Sequence, residues 1–275
     1  LYTIRFRNLA TGEVLPDTLT GSQASLVWAD DNRTLFYIEK DPQTLRGYRV
    51  RRHRLGRDPA VDPVVYEETD DSYYLSLGRS GDDRLIVFHA SSTVADEVRY
   101  VVADRPESAF EILLPRERDH EYEADHLDDR WIIRTNWRAE NFRLMEAADA
   151  DAGNRDRWQE LVPHDPAVYI SEFDVFDKHL VVAERRDGLR TLRVMDRHGR
   201  ALFTVDADDP AYVMDLDTNM EPDTEWLRYS YSSLTTPDTV YEINMRTRER
   251  RLLKQQPVLG GFTSADYRSE RLWVD

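Results

Sequence analysis

Four short strand-like runs recur in order along this 275-residue chain. The last copy shows the pattern most plainly. Leu227-Arg-Tyr-Ser-Tyr231 alternates large and polar residues. Ser232 to Asp238 is a polar break containing Pro237, and Thr239-Val-Tyr-Glu-Ile-Asn-Met245 alternates again. Period-two alternation is what a half-buried strand shows, so this stretch predicts a β-hairpin with a long loop. The turn-like Glu221–Trp226 precedes it and Arg251-Leu-Leu-Lys254 follows, giving a sheet of about four strands. A lone sheet of that size cannot cover both of its faces. Repetition of the unit provides the cover.

The unit recurs upstream with strands at Thr34-Leu-Phe-Tyr-Ile38, Arg84-Leu-Ile-Val-Phe88, Trp131-Ile-Ile133 and Leu180-Val-Val182. Aligning these second strands superposes Phe36, Ile86, Ile132, Val181 and Arg228, a step of about 46 to 50 residues. Each copy repeats the same loops in order: a short turn, a long polar loop, a short turn and a crossover. An ordinary β-sandwich has no reason to keep that order, so the sequence predicts an all-β propeller of four-stranded antiparallel blades. The expected blades run 21–68, 69–118, 119–165, 166–208 and 209–258, with half a blade in 1–20. In that half blade Leu1–Arg7 and Val14-Leu15 form strands, and Leu26-Val-Trp28 opens the next blade. Ala147 to Arg157, polar and carrying Gly153, reads as an insertion loop.

Composition removes several function classes. The formal net charge is −16, whereas phosphate binding needs a basic stripe, so no nucleic-acid partner is expected. The acidic balance suits basic ligands. Lys40, Lys178 and Lys254 are the only lysines, and there is no cysteine to form disulfides or thiolate metal sites. No apolar run approaches the roughly 18 residues of a membrane helix, and the first residues lack the apolar block of a signal peptide. The chain begins without Met and in the middle of an alternating run, so the expectation is a fragment of a longer polypeptide.

Catalytic signatures are missing. Gly78-Arg-Ser-Gly81 has the wrong spacing for a nucleophile elbow and falls at a repeat turn. His120 and His126 flank Glu121 and Asp125, but such residues near strand ends are common on an acidic surface, and no metal or other cofactor is expected. Asp149-Ala-Asp-Ala-Gly153 lacks the closing Glu of a calcium loop. Glu67-Glu68 and Asp70-Asp71 read as a charged crossover rather than an acid–base pair.

Several strings resemble one family. Tyr229-Ser-Tyr-Ser-Ser-Leu-Thr-Thr-Pro-Asp-Thr-Val-Tyr241 is similar to the last propeller blade of the oligopeptidase B (protease II) group, in the prolyl oligopeptidase family of serine peptidases. Pro42-Gln-Thr-Leu45, Tyr66-Glu-Glu-Thr-Asp-Asp-Ser-Tyr-Tyr74, Leu114-Pro-Arg-Glu-Arg-Asp-His-Glu-Tyr122, Asp209-Pro-Ala-Tyr-Val213 and Asp266-Tyr-Arg-Ser-Glu-Arg-Leu-Trp273 agree in the same order. The resemblance implies a seven-bladed propeller capping an α/β-hydrolase domain, a Ser-Asp-His triad, and short peptides cut after Arg or Lys. No triad position falls within this chain. It also implies that the chain holds about five full blades plus half of another, and that 267–275 begin the hydrolase domain.

The leading expectation is therefore the gating, non-catalytic domain of a cytoplasmic serine oligopeptidase. A free-standing peptide- or protein-binding propeller is the alternative. The expected partners are short basic peptides and the hydrolase domain of the same full-length chain, with no membrane and with self-association through uncovered propeller edges. Acidic side chains on the innermost strands would attract cationic peptides, an effect that salt weakens. Glu121, Asp125, Glu172 and Asp174 are the candidates.

Overall fold

The computed structural model describes residues 1–274 and contains twenty-one strands with a few single 3-10 turns. The first sheet has the order β1 (Tyr2–Arg7), β2 (Val14–Trp28), β3 (Thr34–Lys40), β4 (Gly47–Arg54) and β5 (Val64–Glu67). Next comes β6 (Tyr74–Arg79), β7 (Leu85–Ser91), β8 (Asp96–Val102) and β9 (Glu111–Leu114). The third sheet is β10 (Tyr122–Leu127), β11 (Arg130–Thr135), β12 (Arg143–Ala148) and β13 (Gln159–Val162). The fourth is β14 (Tyr169–Val175), β15 (His179–Arg186), β16 (Leu189–Asp196) and β17 (Ala201–Thr204). The last is β18 (Tyr212–Leu216), β19 (Trp226–Ser233), β20 (Thr239–Asn244) and β21 (Arg250–Gln255). Every strand lies beside its neighbours in sequence, and the resolved pairings are antiparallel.

The second strands are the most apolar for a physical reason. In β7 and β15 nearly every residue is buried, because neighbouring sheets cover both faces, so these strands read as continuous apolar runs rather than alternating ones. The outermost β21 is exposed throughout. The short turns between first and second strands use Asn32, Asp83 and Asp128 with positive φ. Asn and Asp tolerate that conformation because their short side chains bond locally.

The chain divides into two compact units. One comprises Leu1–Trp131 together with Ala148–Trp158. In it the first two sheets share a core in which Phe36, Ile38 and Val50 meet Leu75, Ile86 and Phe88. The other comprises Ile132–Ala147 and the chain from Gln159 onward. In it Val181, Leu192 and Val194 meet Met214, Leu227 and Tyr229 across the last two sheets. Full burial of a side chain of this size is worth about 1.5–3 kcal/mol, so these shared cores are what hold adjacent sheets together.

Two expectations are corrected in detail. Residues 1–20 do not form a separate half blade, because Val14–Trp28 is one strand. Its first part pairs with β1 and its last part with β3, so the first sheet has five strands. The polar stretch Gly21–Ser25 is a bulge. Gly21 adopts φ +72° and bends the strand without ending it. Ser25 there exchanges hydrogen bonds with the backbone of Leu77 on β6. In the last sheet the first strand is Tyr212–Leu216, well ahead of Glu221–Trp226. Tyr267–Val274 carries no regular secondary structure, and Asp275 lies outside the described residues.

Candidate functional site

The four steering candidates lie on or beside the first strand of a sheet, as expected, but their environments differ. Glu121 is half-buried and immediately precedes β10. Asp125 is on β10, where its Oδ1 accepts from the backbone N–H of Gly81 and of His126, both at 2.7 Å. Burial, with the Asp82 carboxylate nearby, pushes its pKa up. A carboxylate so enclosed is a weaker beacon for cations than a solvated one. In the other unit, Glu172 and Asp174 are two apart on β14 and so face the same side of that strand. Glu172 is 3.8 Å from Arg190, whose guanidinium also pairs with Asp215 on β18. Asp174 accepts from the Asn219 amide at 2.9 Å.

The two histidines near Glu121 and Asp125 do not converge. His120 stacks on Tyr122, and burial together with the nearby Arg155 pushes its pKa down to about 4. His126 lies at the other end of β10 and is buried between two carboxylates, with Nδ1 2.8 Å from Asp82 and Nε2 2.9 Å from Asp149. Burial alone would lower its pKa, but hydrogen bonds and charge from Asp82, then Asp149, raise it. A comparable arrangement exists on β4. His53 is buried 3.0 Å from both Asp62 and Asp17, and the Tyr37 hydroxyl donates to Asp62. Among the described residues no group of three or more His, Asp or Glu side chains is arranged to hold a metal ion.

Sequence reasoning missed that the strings carrying the family resemblance meet one another in space. Glu68 of the Tyr66–Tyr74 string is buried and accepts from Arg116 of the Leu114–Tyr122 string at 2.6 Å. Arg116 also donates to the Tyr66 hydroxyl, lies 3.7 Å from the buried Glu97, and stacks over Tyr73. Burial tends to raise the Glu68 pKa, but bonds from Arg116, Tyr66 and the Asp70 N–H hold it below the usual carboxylate range. In the last sheet Asp209 accepts from the hydroxyls of Thr235 (3.0 Å), Tyr231 (3.1 Å) and Thr236 (3.3 Å). Against burial, these bonds hold Asp209 low. Ser269 and Ser264 of the last segment bond the side chain and carbonyl of Thr235. These strings are tertiary junctions, and periodicity within a strand has no means of reporting a partner about 50 residues away.

No helix among the described residues is long and apolar enough to cross a membrane. The site residues are thus carboxylates at strand edges and buried ionic junctions.

Comparison with known proteins agrees with this geometry. Residues 1–256 match the family described as prolyl oligopeptidase, N-terminal beta-propeller domain. Dipeptidyl aminopeptidase BI of Pseudoxanthomonas mexicana is 51% identical over 99% of this chain, and Protease 2 of Moraxella lacunata is 30% identical over 99%. The chain spans 37% and 39% of those two proteins. The structure of oligopeptidase B from Leishmania major superposes with a TM-score of 0.90 at 28% identity, covering 98% of this chain and 39% of that one. With five sheets in propeller order and a match that runs through all of them, this chain belongs to the N-terminal β-propeller domain family of the prolyl oligopeptidases.

Proposed function

We propose that this chain is the substrate-gating propeller of a serine oligopeptidase whose catalytic groups lie in an α/β-hydrolase domain of the same longer polypeptide. The observation that carries the reading is the family match over residues 1–256, in a chain that spans little more than a third of its relatives. The propeller's role is to admit short peptides and exclude folded proteins, while the serine chemistry is done elsewhere, in the cytoplasm. The substrates in this reading are basic, cut after Arg or Lys. The net charge of −16 and the carboxylates Glu121, Glu172 and Asp174 support it, because unlike charge raises the encounter rate of a cationic peptide. Asp125, enclosed by Gly81 and His126, contributes least.

The relative at 51% identity favours a second reading, in which the enzyme releases dipeptides from free N-termini. One experiment separates the two. The full-length protein is offered Arg-containing peptides of increasing length, each with a free or an acetylated N-terminus. Endopeptidase action tolerates acetylation; dipeptide release does not. Gating predicts that kcat/KM collapses above a limiting length. Equal turnover of short peptides and an unfolded protein would overturn it. Steering predicts that kcat/KM for a dibasic peptide falls as salt rises, and that E172Q/D174N flattens the slope. A slope unchanged by that double substitution would remove these residues from the role.

A further inference from the structure

The His126 junction joins three separate pieces of one unit. Asp82 belongs to the turn between β6 and β7, His126 to β10, and Asp149 to the insert Ala148–Trp158 that follows β12. The insert belongs to the same compact unit as β6–β9 and β10. Its backbone at Gly153 lies so close to β9 that an added Cβ would sit 3.3 Å from the Leu113 carbonyl. Arg155 reaches Glu117 beyond β9, and the Trp158 indole N–H donates to the Ala152 carbonyl inside the insert.

We propose that His126 is a proton-gated pin, whose doubly protonated ring holds the insert Ala148–Trp158 against the β6–β9 sheet and whose deprotonation releases the insert at Asp149. An ionised carboxylate only accepts hydrogen bonds, and a neutral imidazole has a single N–H. Both contacts of His126 are therefore made together only by the imidazolium. When the ring loses a proton, one carboxylate faces a nitrogen lone pair. The surroundings decide which. Asp82 is nearly enclosed and already receives Ser80 Oγ and the N–H groups of Arg84 and Asp128. Removing its ring contact would leave buried charge less compensated. Asp149 has half its side chain in solvent, at 52% exposed, so water replaces the lost bond. The neutral ring keeps its proton on Nδ1 toward Asp82, and Asp149 lets go.

The other charged groups around the ring reinforce the sign. Asp125 on the same strand and Asp128 in the following turn are acidic, and the Arg84 guanidinium is engaged by the Asp128 carbonyl. The edge of Trp131 closes the remaining side, 5.1 Å from the ring, with Tyr100 and its partner Glu111 behind it. The raised folded pKa of His126 means that the pin holds fully below the unfolded value of about 6.5 and is lost as pH rises through the folded one.

The test is hydrogen–deuterium exchange on the full chain from pH 6 to 9, corrected for intrinsic exchange, with the His126 ring titration followed by NMR. Protection in 149–154 is expected to fall about tenfold or more in step with that titration, the loss of one charge-assisted bond. Protection in β7 is expected to stay constant. H126Q abolishes the pH dependence. D149A, at a half-exposed position, leaves the segment open at every pH and moves the ring titration down. Protection of 149–154 that ignores the titration, or that keeps the wild-type pH dependence in H126Q or D149A, overturns the proposal.

Discussion

Replacing Arg116 by Met tests whether the junction of the two family strings is held by charge. Arg116 bonds Glu68 at 2.6 Å and the Tyr66 hydroxyl at 2.7 Å, and approaches Glu97 at 3.7 Å. Glu68 is 3% exposed and Glu97 is 4% exposed. Methionine keeps most of the packing over Tyr73 but leaves Glu68 without its cation. Breaking a buried pair from one side costs about 3–5 kcal/mol, mostly the penalty of the stranded charge. Each kcal/mol is about 2–4 °C in Tm for a chain approaching this size, so the expected fall is roughly 6–20 °C. The double variant E68Q/R116M removes the stranded charge and is expected to recover at least about 1 kcal/mol over the sum of the single changes. The pH dependence has a definite sign. The Glu68 carboxyl is held low in the folded chain, so the junction contributes fully above its ordinary value near 4.5 and is lost as pH falls through the depressed one. The gap in Tm between wild type and R116M should therefore close in acid. The reasoning fails if R116M costs less than about 1 kcal/mol at neutral pH, or if the gap is the same at pH 3 as at pH 7.

Gly199 has φ +80°, and an added Cβ would lie 2.5 Å from the Leu161 carbonyl oxygen, whereas Gly21 at φ +72° has open space around it. G21A is expected to cost about 1–2 kcal/mol from backbone strain alone and G199A clearly more, read as the difference in Tm. D209A removes the acceptor shared by Tyr231, Thr235 and Thr236 and is expected to cost about 1–3 kcal/mol and to speed amide exchange in 233–238. Because Asp209 is held low, that cost is expected to vanish in acid; a deficit independent of pH would point to packing instead. In the last sheet Val213 and Leu252 are each 56% exposed and β21 is an uncovered edge, which favours pairing with a second chain. Light scattering at micromolar concentration should show association that L252K weakens, and a monodisperse monomer would refute it.

The sequence by itself determined the repeat and the strand class. The cause is local. A second strand covered on both faces must be apolar throughout, as Leu180-Val-Val182 and Leu85-Ile-Val-Phe88 are, and short turns need residues such as Asp83 and Asp128 that accept positive φ. It also placed Asp125, Glu172 and Asp174 on first strands. Only the tertiary structure decided what those side chains do. Gly21 bends β2 instead of ending it because β1 and β3 pair with its two parts, a fact set by strands on either side. Asp125 is enclosed because the turn at Gly81, 44 residues earlier, closes over it. His126 gains one carboxylate from a loop of the preceding sheet and one from a distant loop of its own, and Glu68 gains its arginine from the next sheet. Hydrophobic periodicity records which face of a strand is covered. Charge pairing depends on which loop arrives opposite, and that is settled only when the sheets stack.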